Sequence, residues 1–84
     1  MNRKQRKTLE ALFADPVRAN IAWVDIISLL GALGAQISQG RGSRIRVALH
    51  GVRATFHEPH PEKEAGKKTV ANLREFLNDA GEGP

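Results

Sequence analysis

Cysteine and tyrosine are absent from the chain, and its aromatic residues are one tryptophan and three phenylalanines. Without cysteine there is no disulfide, no thiol nucleophile and no thiolate metal site. No apolar run approaches the ~18 residues of a membrane helix, and no signal-peptide-like apolar segment follows the basic start at Met1–Lys7. Cytoplasm is therefore the expected compartment, with no membrane partner. A glycine-rich phosphate loop, a nucleophile elbow and a zinc motif are all missing, and no carboxylates stand at a recognisable ligand spacing, so neither cofactor nor metal is expected. Acidic residues are absent between Gln36 and His57. The 84 residues suit a single domain. Such a chain buries only about 60–65% of its unfolded surface, which leaves chemistry to an open surface instead of a deep cleft.

What is present is positive charge. The net charge is +4 and the isoelectric point lies near 10.1, a balance that favours a polyanionic partner. Hydropathy periodicity then locates the elements. Arg3–Ala14 reads as a helix with Leu9, Leu12 and Phe13 on one face and Arg3, Lys4, Arg6 and Lys7 in its first turns, stopped by Asp15-Pro16. Trp23–Leu33 reads as a second helix whose buried stripe is Trp23, Ile26, Ile27, Leu30 and Leu33, closed by Gly34.

The period then changes from 3.6 to 2. Ala35–Gln39 is a short strand and Gly40–Ser43 a turn. In Arg44–Leu49, Ile45, Val47 and Leu49 point one way and Arg44, Arg46 and Ala48 the other. His50-Gly51 reads as a two-residue hairpin turn with a positive φ at glycine. Val52–His57 alternates again, with Val52, Ala54 and Phe56 inward. Pro59 and Pro61 end it, and Glu62–Gly66 is a polar loop. A last helix over Lys67–Ala80 carries the stripe Val70, Leu73, Phe76, Leu77 and Ala80. The class is α+β, order α-α-β-β-β-α, with one antiparallel sheet, helices on its apolar face and the other face wet.

A two-residue loop fixes register. It sets Leu49 opposite Val52, Ala48 opposite Arg53, Arg46 opposite Thr55 and Arg44 opposite His57. The wet face then holds Arg44, Arg46, Arg53 and His57 together. Like charges on one face cost stability, so an unbalanced set suggests a ligand that supplies counter-charge; the plainer alternative is a sheet kept soluble by cations. Lys67-Lys68 open a helix against its macrodipole, which makes sense around a phosphate, or else the helix starts later at Thr69. His50, His57 and His60 lie close in sequence. Metal-free RNA cleavage needs a base near neutrality and cations around the phosphate. His57 or His60 beside Arg44 would supply both, His60 being the preferred base because Pro59 and Pro61 hold it rigidly, while His50 reads as a turn residue.

Four segments resemble HicA toxins. Asp25–Gly34 (DIISLLGALG) is similar to their first helix, and Gly40–Ser43 to their basic glycine-serine turn. His60-Pro61 resembles their strand-closing histidine-proline, and Asn72–Gly81 (NLREFLNDAG) their last helix. The resemblance spans a core at 23–81, to which Arg3–Ala14 is an added helix. It implies a fold like a double-stranded-RNA-binding domain, metal-independent cleavage of messenger RNA, and neutralisation by a HicB-like antitoxin. With the residues read above, the expected RNA-binding set is Arg41, Ser43, Arg44, Arg46, Arg53, Lys67 and Lys68. Family members carry a catalytic histidine just after the glycine-serine, where this chain has Arg44 and Ile45. Three routes stay open: the base is His57 or His60, Arg44 acts alone through charge, or the domain binds RNA without cutting it. A docking module for an acidic protein is a further alternative.

Overall fold

The computed structural model describes residues 1–60 and 62–84. Its elements are α1 (Arg3–Leu12), β1 (Ile21–Ala22), α2 (Trp23–Ala32), β2 (Gln36–Gln39), β3 (Arg44–Leu49), β4 (Val52–His57), β5 (Glu64–Ala65) and α3 (Lys67–Asp79). The expected α+β order is present: three helices and an antiparallel sheet of order β2-β3-β4. The segments before α2 and α3 depart from the expectation. Two residues of the connector before α2 and two of the polar loop before α3 pair as an antiparallel β1–β5 ribbon, Ile21 with Ala65 and Ala22 with Glu64. The ribbon is extended by Trp23 N–H donating to the Lys63 carbonyl at 2.9 Å and Asn20 N–H to the Ala65 carbonyl at 2.9 Å. It ties the start of α2 to the start of α3.

Each helix presents its apolar stripe inward. A single cluster of buried side chains runs from Leu9 and Leu12 of α1 through Ile26, Leu29 and Leu30 of α2 and Ile45, Val47 and Leu49 of β3. It continues through Phe56 of β4 to Leu73, Phe76 and Leu77 of α3. Phe56 meets Phe76 edge to face at 5.8 Å, which fastens α3 to β4 in a favoured aromatic geometry. The stripe of α2 is rotated from the one expected: Leu29 is fully buried, whereas Ile27 and Leu33 are only partly so. The cause is α1, which covers the Asp25–Ser28 side of α2. Gln5 Nε2 donates to Ser28 Oγ at 3.0 Å, and Lys4 Nζ sits 3.5 Å from the Asp25 carboxylate.

α1 is held at both ends. Asn2 and Gln5 form a reciprocal capping box at its start. At its end Arg74 of α3 donates through Nε to the Leu12 carbonyl at 2.9 Å and through its terminal amino group to the Ala14 carbonyl. The Arg74 guanidinium also lies 5.9 Å from the Phe13 ring centre. Arg74 thereby satisfies carbonyls that the helix end leaves without partners.

Leu30 is wholly buried, and Leu30→Ala should cost on the order of 2–5 kcal/mol of unfolding free energy. Arg74→Ala should cost about 1–3 kcal/mol, because hydrogen bonds from a charged donor to part-buried carbonyls are lost. Urea unfolding reads both, and a loss near zero for Leu30→Ala would contradict the packing of α2.

Candidate nucleic-acid interface

The outward face of the sheet is fixed by the β3–β4 hairpin. Both turn residues have positive φ, 50° at His50 and 82° at Gly51, as the two-residue turn that matches strand twist requires. The resulting register is the expected one: Arg44 opposite His57, Arg46 opposite Thr55, Ala48 opposite Arg53 and Leu49 opposite Val52. Glu58 N–H donates to the Ser43 carbonyl at 2.7 Å, which makes Ser43–Glu58 a hydrogen-bonded pair. By alternation Arg44–His57, Arg46–Thr55 and Ala48–Arg53 are non-hydrogen-bonded pairs, the class whose side chains lie closer together, with Cα atoms about 4.5 Å apart.

β2 adds a third column, with Gln36 opposite Ala48 and Ser38 opposite Arg46. The wet face is thus a grid of three rows: Gly40, Arg44 and His57; Ser38, Arg46 and Thr55; Gln36, Ala48 and Arg53. Two sequence features shape it. Gly40 has its N–H on the Arg44 carbonyl at 2.7 Å, and a Cβ at that position would stand 3.3 Å from Arg44 Cβ and 3.5 Å from Arg46 Nε. The missing side chain makes room for both arginines. At the other end, the small Ala48 leaves a shallow depression of about 410 Å3 walled by Gln36, Ser38, Arg46, Arg53 and Thr55.

Arg41, Ser43, Arg44, Arg46, Arg53 and His57 are all exposed. Among the described residues the ion pairs are Lys4–Asp25 and His50–Glu82, so none of these arginines is paired with a carboxylate. The face therefore holds uncompensated cations beside neutral hydrogen-bonding side chains (Gln36, Ser38, Thr55), a chemistry suited to phosphate oxygens and ribose hydroxyls. Its one ring on which a base could stack is the His57 imidazole, since none of its outward positions is phenylalanine, tyrosine or tryptophan.

The remaining expected site residues fall elsewhere. Arg41 lies in the β2–β3 turn, its carbonyl accepting from Arg44 N–H at 3.2 Å. Ser43 stands one residue outside β3, across from Glu58. His60 is exposed three residues beyond β4, and Pro61 of the histidine-proline pair lies outside the described residues. Lys67 and Lys68 do open α3, with Gly66 as N-cap and no side-chain cap. Thr69 is thus inside the helix. Because α3 packs on the apolar side of the sheet, both lysines belong to the helical layer and not to the arginine grid.

His50 has a second role that the sequence did not reveal: its Nε2 lies 2.8 Å from the Glu82 carboxylate, joining the hairpin tip to the segment after α3. Gln36, Ser38 and Thr55 were legible as outward positions of alternating strands, but only the register places them around Arg46. Among the described residues no three His, Asp or Glu side chains gather as a metal site, and no helix is long and apolar enough to cross a membrane.

Comparison with protein families gives a match over residues 23–82 to the family described as the HicA toxin of bacterial toxin–antitoxin systems. Neither a curated protein nor a solved structure gives a significant match.

Crowding of like charge on the grid costs stability. Arg46→Gln should therefore raise the unfolding free energy at low ionic strength by on the order of a few tenths of a kcal/mol, and the thermal midpoint with it, and the gain should fade in high salt. A midpoint that falls at low salt would mean that Arg46 has a compensating partner.

Proposed function

Because the chain belongs to the HicA toxin family and is the toxin component of a bacterial toxin–antitoxin pair, we propose that its sheet face binds messenger RNA in the cytoplasm and cleaves it without a metal. In this reading its activity is held in check by a HicB-like antitoxin. The observation that carries the proposal is the Arg44–Arg46–Arg53 grid with His57 directly across from Arg44. Arg46 and Arg53 bind backbone phosphates around the Ala48 depression. Arg41 and Ser43, at the neighbouring turn, extend the contact, and Lys67 and Lys68 offer a second phosphate contact at the start of α3.

The cleavage step follows from those side chains. A neutral histidine takes the proton of a ribose 2′-hydroxyl. The oxygen attacks the adjacent phosphorus, the bond to the 5′-oxygen breaks, and that oxygen leaves with a proton from solvent or from the protonated histidine. One product ends in a 2′,3′-cyclic phosphate and the other in a 5′-hydroxyl. Arg44 stabilises the charge that builds on the phosphate oxygens. His57 is the base best supported by position, since its column adjoins Arg44; His60 is the second candidate, three residues further along.

A second reading, RNA binding without cleavage, is favoured by one feature of the chain. Ser43 is followed by Arg44 where the resemblance to HicA toxins leads one to expect a histidine. Mass spectrometry of RNA ends after incubation with the protein separates the two. Cyclic-phosphate ends mean cleavage, and their absence leaves binding alone. If a histidine is the base, His57→Ala or His60→Ala should slow cleavage by roughly 10²–10⁴-fold with RNA affinity nearly unchanged, whereas Arg44→Ala should weaken both. Intact RNA and unslowed growth on expression of the wild type would end the enzyme reading.

A further inference from the structure

The family match begins at residue 23, yet α1 supplies Leu9 and Leu12 to the core and is fixed by the capping box and by Arg74. Its outward stripe is unusual in composition. Thr8, Leu9 and Leu12 define the buried side. Arg3, Arg6, Lys7 and Glu10, at i, i+3, i+4 and i+7, form the stripe directly opposite, and all four are exposed. No acidic residue stands in the first turn, so these cations oppose the helix macrodipole as well as one another. Of the cations of α1, only Lys4, on the flank, has an ion-pair partner among the described residues, Asp25.

We propose that this stripe of α1, through Arg3, Arg6 and Lys7, is a second nucleic-acid site that grips the phosphate backbone of the RNA bound by the protein. The inference rests on the RNA-binding reading above and adds a site to it. Two features favour a polyanion over a protein partner. The stripe holds no apolar side chain, whereas the centre of a protein interface is depleted in charge and built from apolar and aromatic anchors. Its cations are also carried on a helix already anchored to α2 and α3, so they are in place before a ligand arrives. Since α1 packs in the helical layer and the arginine grid faces the other way, one RNA engages both only by passing round the molecule, whose principal extents are 31 × 28 × 21 Å.

The probe is therefore a single-stranded RNA of roughly 50 nucleotides, long enough for two sites of up to about 16 nucleotides each and a span between them. Its affinity is measured by fluorescence anisotropy over a range of salt concentrations. The variant Arg3→Gln/Arg6→Gln/Lys7→Gln should lower the log–log salt slope by about 2, at about 0.7 per phosphate contact on a single strand. Its thermal midpoint should not fall, because repulsion is relieved. As a gain-of-charge control, Glu10→Lys should steepen the slope by about 0.7. An unchanged slope in both variants, while Arg44→Gln/Arg46→Gln/Arg53→Gln lowers it, would overturn the second site and leave the sheet reading standing. The reverse pattern would overturn the sheet reading and keep this one. No RNA binding by the wild type would overturn both. If the α1 variant binds RNA normally but loses affinity for the antitoxin, the stripe is a protein-docking surface and the inference falls.

Discussion

The two-residue turn at His50-Gly51 governs what this protein shows to solvent. A positive φ at both positions closes β3 onto β4 in one register, and side chains alternate strictly along each strand. A slip of one residue would force a choice: either Phe56 turns to water, or Ile45 and Val47 do and Arg44 and Arg46 are driven into the helices. The core opposes that slip independently of the turn. Burying Ile45, Val47, Leu49 and Phe56 is worth roughly 1.5–3 kcal/mol each, and the Phe56–Phe76 contact depends on the same register. Turn and core therefore agree, and the arginine grid follows as their complement. His50 strengthens the arrangement from outside, reaching Glu82 and pinning the hairpin tip to the end of α3.

Above the sheet, the helical layer is organised by contacts that are polar at their ends and apolar between. Arg74 is the clearest case. Although basic and on a helix in a basic protein, it is directed inward to the end of α1, so its charge is spent on backbone carbonyls and not on a ligand. The cations of this chain thus divide by what they face. Arg74 meets carbonyls and Lys4 meets Asp25, whereas the arginines of the grid and the stripe of α1 face only water. An excess of positive charge on two faces is costly to the free protein, and a polyanionic ligand would remove that cost.

Much of this was legible in the sequence because periods of 3.6 and 2 survive even in short segments. The helices, the three-stranded sheet and its register follow from such patterns, and the outward Arg44, Arg46, Arg53 and His57 follow from the register. The β1–β5 ribbon was not legible, since two residues per strand leave no period to read and the partners lie far apart in the chain. The rotated stripe of α2 was hidden for a related reason: α1 covers a side of α2 that isolated periodicity assigns to solvent. Within the candidate site, the sequence placed Lys67 and Lys68 at a helix start but gave no position for that start relative to the sheet arginines, and the packing of α3 separates the two groups. The role of Gly40 is likewise tertiary, because it depends on Arg44 and Arg46 lying across from it.

The central claim is that the outward sheet face receives RNA. Amide chemical-shift mapping during titration with a short single-stranded RNA tests it directly, residue by residue and without requiring cleavage. The account predicts the largest shifts at Ser38, Arg44, Arg46, Arg53, Thr55 and His57, diminishing as salt is raised. Shifts confined to the helical layer, with these six unmoved at saturating RNA, would contradict it.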